Sequence, residues 1–349
     1  IYQGMRKIVI ACDSYKGCLS SSDVANAAAR GVAEVYPDCE VIKLAVADGG
    51  EGTVEALVDT LGGHLEWAEV SDPLGRPVRA AYGVAGDLAI IESAAACGLT
   101  LLTKEECNPL VTSTKGLGEL IMAAIDKGCN KFLIGLGGSA TNDGGMGMIR
   151  AEGFLEKTKG MKFTVACDVD TPYIGEHGAS RVFGPQKGAS EQDVEVLEER
   201  LRGYALTILK ETGVDVRDMA GAGAAGGLGG AFRAYLGAEL KRGVDLVLDQ
   251  IDFDSKIQGA DLVITGEGCS DYQTLKGKTA SGVLERAKCQ GIPVALVSGA
   301  VRDEQMLRDG GFGIIEAVSP LSMSREEAMR PETAKFNICQ TVKRLLTNE

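Results

Sequence analysis

Acidic residues recur where apolar runs give way to small residues: Asp13, Asp48, Asp143, Asp168, Asp170, Glu267 and Asp271, nearly all beside Gly or Ser. Any one of them fits a turn or a helix cap. Their recurrence in one local setting points to shared chemistry. Carboxylates can hold a magnesium ion and accept a hydroxyl proton, while lysines and glycine-loop amides stabilise phosphate oxygens. With Lys16, Lys187 and Lys278 in similar loops, this is the equipment of phosphoryl transfer. The two histidines, His64 and His177, are too few for zinc sites built on paired histidines or for a Ser-His-Asp arrangement. His177 follows a short glycine turn and reads as solvent-facing, and Trp67, on a strand, reads as core.

The elements that must position these groups alternate strand and helix. The run KIVIAC at 7–12 predicts a strand ending in Asp13-Ser14-Tyr15-Lys16-Gly17, followed by a helix over 24–35 with Ser20, Ser21 or Ser22 as N-cap. A second strand over 40–46 ends in Asp48-Gly49-Gly50-Glu51-Gly52-Thr53 before a helix over 54–61. Residues 132–136 predict a buried strand that empties into Gly137, Gly138, Ser139, Thr141, Asn142 and Asp143, where unhindered backbone N–H groups and a helix N-terminus can face an anion. Strands over 163–167 and 262–265 end in Asp168-Val169-Asp170 and in Gly266-Glu267-Gly268-Cys269-Ser270-Asp271, with Gln273 and Thr274 close behind. Parallel strands share a carboxyl edge, and ligands bind there, so these loops are expected to converge in one cleft. Short runs over 65–70, 78–84 and 88–92 predict an antiparallel insertion. Helices are expected over 112–127, 191–209 and 334–346, and strands over 293–298 and 314–318. The glycine and alanine stretch over 220–230 is too apolar for a disordered tail.

Bulk properties narrow the class. A length of 349 residues favours about two domains. With 45% hydrophobic and 24% charged residues, and no apolar run of about 18 residues, the chain reads as soluble with no membrane role. A net charge of -13 argues against nucleic acid and anionic lipid as partners. Ten cysteines without CxxC or a secretory leader read as reduced thiols, many of them buried, in a cytoplasmic protein. Residues 1–4 read as an extension ahead of a start at Met5.

Familiar phosphate motifs fit poorly. The GxxxxGK[ST] pattern has no counterpart, and Gly221, Gly223 and Gly226 form a loose GxGxxG that follows no clear strand. Asp168-Val169-Asp170-Thr171 resembles the DxDxT nucleophile signature of haloacid-dehalogenase-type phosphatases, though it sits mid-chain. A phosphatase with Asp168 as nucleophile is the runner-up.

Eight motifs in order, IVIACDSYKG, VADGGEGTVEAL, NPLVTSTKGLGELI, IGLGGSATNDGGMG, ACDVDTP, VFGPQKGA, AGAGAAGGLGG and DLVITGEGCSDYQTLKGK, resemble the bacterial type I glycerate kinase family over essentially the whole chain from Met5. The resemblance implies ATP-dependent phosphorylation of D-glycerate to 2-phosphoglycerate with Mg2+. It also implies two α/β domains with the active site in a cleft between them: a Rossmann-like parallel-sheet domain over 5–62, 112–150 and 256–349, and an inserted mixed α/β domain over 63–111 and 151–255. A homodimer is compatible with it, and a non-catalytic glycerate-sensing domain is the third alternative.

Carried onto this chain, the family pattern gives Asp168 or Asp271 the orientation or deprotonation of the hydroxyl, with Lys16 and Asp48 beside them as catalytic groups. Nucleotide contacts fall on Gly137, Gly138, Ser139, Thr141, Asn142, Asp143, Lys187 and Glu267. Glycerate contacts fall on Asp13, Ser14, Gly49, Gly50, Glu51, Gln273 and Thr274, and the metal on Asp170. Two departures stand out. Cys269 and Ser270 occupy positions where the family carries Arg and an aliphatic residue, and the stretch 150–164 is shorter than the family pattern.

Overall fold

The computed structural model describes residues 4–50, 52–320 and 322–347. Glu51, an expected glycerate contact, lies outside the described residues. The strands are, in chain order, β1 (Lys7–Cys12), β2 (Glu40–Ala45), β3 (His64–Ser71), β4 (Pro77–Ala85), β5 (Leu88–Glu92), β6 (Lys131–Gly135), β7 (Lys162–Ala166), β8 (Glu239–Lys241), β9 (Leu262–Thr265), β10 (Cys269–Ser270), β11 (Val294–Ser298), β12 (Ala300–Val301) and β13 (Ile314–Ala317). The fold is α/β and divides into two compact units.

The first unit contains the chain up to Asp48, Glu55–Leu61, and everything from Val244 onward. Its sheet has the order β13-β11-β9-β1-β2, with every neighbouring pair parallel. Ile8, Val9 and Ile10 of β1 and Leu262, Val263 and Ile264 of β9 are all fully buried. Burial on both faces is why these strands read as unbroken apolar runs instead of alternating ones. The helices Ser21–Val35 and Pro331–Thr347 pack closely, and Gly31 permits it: a Cβ there would meet the Cys339 carbonyl oxygen at 2.5 Å. Ser20 is the N-cap, its side chain accepting from the Asp23 N–H. Since the strands run parallel, Asp13, Asp48, Glu267 and Ser298 all fall on one sheet edge.

The second unit, Gly49–Val54 and Gly62–Gly243, has a mixed sheet in the order β3-β4-β5-β6-β7-β8. The pairs β3-β4 and β4-β5 are antiparallel, as the turn-rich segment suggested, and the rest are parallel. This placement corrects the expected division of the chain. Residues 112–150 do not join the sheet of β1, because Leu133 of β6 registers with Ile90 of β5 on one side and Thr164 of β7 on the other. Strand-helix alternation shows that a parallel sheet exists but not which strand lies beside which; here β5 supplies the edge on which β6 continues.

Trp67 is a second correction. It is 46% exposed on the edge strand β3, with the Arg79 guanidinium 5.1 Å from its ring centroid. Phe132, Phe154, Phe163 and Phe232 fill the core instead. The shortened stretch after β6 closes through the single helical turn Phe154–Lys157, with Phe154 in the core and Lys157 paired to Asp126 at 2.7 Å. All ten cysteines are free thiols, with Cys12, Cys97, Cys129 and Cys339 buried. Among the described residues no helix is long and apolar enough to cross a membrane.

Candidate active site

In the first unit, β1 delivers Asp13 to the sheet edge, and the turn that follows is held by Tyr15, whose hydroxyl donates to the Val297 carbonyl at 2.9 Å. Asp13 Oδ1 accepts the Ser14 N–H at 2.6 Å, and Oδ2 accepts the Thr279 hydroxyl at 2.5 Å. Thr279 is the first residue of the helix Thr279–Cys289. Asp13 therefore stands near a helix N-terminus, where negative charge is favoured. Burial nonetheless dominates and, with the charges of Asp48 and Glu267, pushes its pKa up to about 6 against the lowering effect of Thr279 and Ser14.

Glu267 lies on the loop after β9. Gly266 lets that loop approach β11, since a Cβ there would meet the Val297 carbonyl oxygen at 1.7 Å. The Glu267 Oε1 accepts the Thr274 hydroxyl at 2.6 Å and the Ser270 hydroxyl at 3.2 Å, while Oε2 lies 3.4 Å from Lys278 Nζ. Asp271 does not join these groups as a free carboxylate: it is the N-cap of the short turn Tyr272–Leu275, and Oδ1 accepts the Gln273 N–H at 2.8 Å. Lys16 is exposed on the turn after β1. Its backbone runs beside Gly268, where a Cβ would lie 3.5 Å from the Lys16 nitrogen.

In the second unit, the parallel strands β5, β6 and β7 carry Glu92, the loop from Gly137 to Gly145, and Asp168 to a common edge. Gly137 and Gly138 are exposed and offer backbone to a ligand. Ser139, Thr141, Asn142 and Asp143 turn inward. Asp143 Oδ1 accepts the Thr114 hydroxyl and the Gly145 N–H, both at 3.1 Å; Oδ2 accepts the Thr114 N–H, the Thr114 hydroxyl and the Gly147 N–H. These bonds make its carboxylate the group that holds the loop. The same bond to Thr114 explains why the helix expected from 112 begins at Lys115.

Lys187 is buried too, with Nζ donating to the Thr141 carbonyl at 2.6 Å and to Ser139 Oγ at 3.0 Å. Burial pulls its pKa down to about 8. Asn142 donates to Ser180 Oγ at 3.0 Å. Gly226 and Gly227 of the glycine and alanine stretch have φ of +72° and +100° and press directly on this loop; a Cβ at 226 would meet the Thr141 carbonyl oxygen at 2.1 Å.

Asp168 is exposed and accepts the Gly243 N–H at 2.9 Å, and Asp170 is exposed on the same loop. Gly49, at φ +88°, packs where a Cβ would meet Ala166 at 2.6 Å. The Gly50 carbonyl accepts the Thr53 hydroxyl at 2.7 Å. Glu92 Oε1 takes the N–H groups of Gly52 and Val54 at 3.0 and 3.1 Å.

Glu92, Thr114, Thr279, Ser270 and Ser298 were not among the expected site residues. A carboxylate ending the apolar run LAIIE was the available signal for Glu92; serine and threonine give almost none, because they serve equally as caps and turns. Among the described residues, no three His, Cys, Asp or Glu side chains are grouped so as to hold a metal ion. Magnesium in phosphoryl transfer needs fewer, since one or two carboxylates, water and phosphate oxygens suffice. The edge around Asp13 fits that requirement better than Asp170, because the charges of Asp48 and Glu267 are close enough to be felt at Asp13.

Comparison with known proteins identifies the family. The pattern of the Glycerate kinase family matches residues 8–157 and 152–348, the two stretches meeting at the shortened connection. The chain is 44% identical to a glycerate kinase of Bacillus subtilis (strain 168), with 92% of each chain covered. It is 42% identical to the glycerate 2-kinase of Escherichia coli (strain K12), with 96% of this chain and 95% of that one covered. A crystal structure described as glycerate kinase 2 from Salmonella typhimurium LT2 matches with a TM-score of 0.88 at 40% identity, covering 98% of both chains. Similarity of this extent, over nearly the whole chain, makes it a member of the glycerate kinase family.

Proposed function

We propose that the protein transfers a phosphoryl group from ATP to the 2-hydroxyl of D-glycerate, giving 2-phosphoglycerate. Family membership supports the substrate, and the name of the Escherichia coli relative supports the position. The observation that carries the chemistry is Asp13, a largely desolvated carboxylate at a parallel-sheet edge whose pKa sits at about 6. A base is most effective when its pKa lies near the working pH, because it is then both ionised and able to hold the proton.

Asp13 takes the place that the sequence pattern gave to Asp168 or Asp271. Those two carboxylates are exposed or engaged in capping, whereas Asp13 is aimed by Thr279 on one oxygen and Ser14 on the other. In this role Asp13 accepts the substrate hydroxyl proton as the phosphoryl group is transferred in line. Lys16 and the backbone amides of its turn take the glycerate carboxylate. Glu267 and Asp48 are the groups that would hold magnesium, which when bound with ATP neutralises charge on the phosphate oxygens. Transfer of this kind depends on positioning and charge stabilisation, so no covalent enzyme intermediate is required. Asp13→Asn is expected to lower kcat by at least ~100-fold, the scale of losing a general base, and Asp168→Asn by less than ~10-fold. Steady-state kinetics with ATP and D-glycerate checks both, and a reversed order would return the base to Asp168.

A further inference from the structure

Ser270 and Ser298 are fully buried, and both belong to a closed ring of hydrogen bonds around Glu267. The Glu267 N–H donates to Ser298 Oγ at 3.4 Å, the two serine hydroxyls lie 2.7 Å apart, and Ser270 Oγ donates to Glu267 Oε1 at 3.2 Å. A carboxylate only accepts, and each hydroxyl has one proton. Ser270 must therefore give its proton to Glu267, which leaves Ser298 to donate to Ser270 while accepting the Glu267 N–H. The direction of every bond in the ring is thereby fixed.

Thr274 completes the arrangement from the other side. Its Oγ1 accepts the Asp271 N–H at 3.1 Å and donates to the same Oε1 at 2.6 Å. Two hydroxyl protons thus converge on Oε1, while Oε2 lies toward Lys278 at 3.4 Å. The backbone beneath is tied as well: Gly299 donates to the Glu267 carbonyl at 3.0 Å, Arg302 to the Ser270 carbonyl at 2.8 Å, and β10 pairs with β12. This construction does more than cap a turn, because it saturates one oxygen of a single carboxylate and leaves the other facing only the Lys278 ammonium among the contacts described.

We infer that Ser270 and Ser298 are positioning residues that fix the Glu267 carboxylate so that Oε2 presents to the magnesium-bound nucleotide. The inference rests on the kinase reading above. Ser270→Ala removes one of the two hydroxyl protons from Oε1 and leaves Thr274 alone to hold that oxygen. It raises KM for magnesium-ATP by ~10-fold, the scale of one hydrogen bond to a charged group, and leaves KM for glycerate within about twofold. Ser270→Thr keeps the hydroxyl and restores the parent value.

The deciding experiment is a double-mutant cycle of Ser270→Ala with Glu267→Gln, read by KM for magnesium-ATP, with thermal melts of each variant as a check on folding. Non-additivity is expected: once Glu267 is changed, removing the Ser270 hydroxyl has little further effect. Additive effects, or a Glu267→Gln enzyme with parental KM, would overturn the inference while leaving the kinase reading intact. A parent protein that does not turn over ATP with glycerate would overturn both.

Discussion

Asp13 concentrates the chemistry at the scale of single residues, and its acid strength has consequences beyond catalysis. Its folded pKa of about 6 lies above the ordinary 3.8, so between those values the folded protein binds the proton more tightly than the unfolded chain. The stabilising effect of that proton is present below about pH 4 and is lost as pH rises through about 6. Asp13→Asn removes the cost of the buried charge, and the amide fits: its oxygen accepts from Ser14, and its NH2 donates to Thr279, whose hydroxyl can turn to accept. The variant is expected to lose activity yet melt no lower than the parent at pH 7. The parent's kcat/KM is expected to fall on the acid side of about pH 6; a profile flat down to pH 5 would remove Asp13 from the base role. Lys187 gives the converse case, since Lys187→Met strands the Thr141 carbonyl and Ser139 hydroxyl and is expected to cost about 1–3 kcal/mol by denaturant unfolding. The carboxylates were legible in the sequence because charge at the end of an apolar strand is conspicuous. Their hydroxyl partners Thr279, Ser270 and Ser298 were not, because their role comes from contacts far away in the chain, as in the 266-residue separation of Asp13 and Thr279.

Elements decide which groups meet. The longer strands were readable from apolar runs, and the antiparallel character of β3, β4 and β5 from their turns; the short β8, β10 and β12 were not. Pairing partners were not readable, so the strand within 112–150 was expected beside β1 and instead, as β6, lies between β5 and β7. Nor did the loop after β6 announce that its polar residues would face inward, because Ser139, Thr141, Asn142 and Asp143 look the same in sequence whether they bind a ligand or a neighbouring loop. The glycine and alanine stretch explains that inward turn: it lets two backbones touch where any side chain would keep them apart. Gly226→Ala is expected to destabilise the protein by on the order of 2 kcal/mol, from positive φ together with collision against the Thr141 carbonyl. Gly213→Ala is the control, since Gly213 also has positive φ, +75°, but a Cβ there would meet nothing within 4 Å. It should cost only about 1 kcal/mol, and equal losses in thermal melts of the two variants would mean that the close approach contributes nothing.

At the scale of the whole molecule, each unit is built by the same rule: parallel strands carry polar loops to a common edge, and an apolar sheet fixes that edge in place. In the first unit the edge gathers Asp13, Asp48 and Glu267; in the second it gathers Glu92, the Gly137–Gly138 turn and Asp168. A net charge of -13 means that an anionic substrate meets an acidic protein, so local lysines and amides must reverse the field where it binds. The family follows from near-complete coverage by relatives, and the central claim that remains is the reaction itself. Incubation with ATP, magnesium and D-glycerate, followed by product analysis that separates the two phosphoglycerate isomers by phosphorus NMR, tests it most directly. 2-Phosphoglycerate and ADP in equal amounts are expected; 3-phosphoglycerate, or phosphate release that does not depend on glycerate, would contradict the proposed reaction.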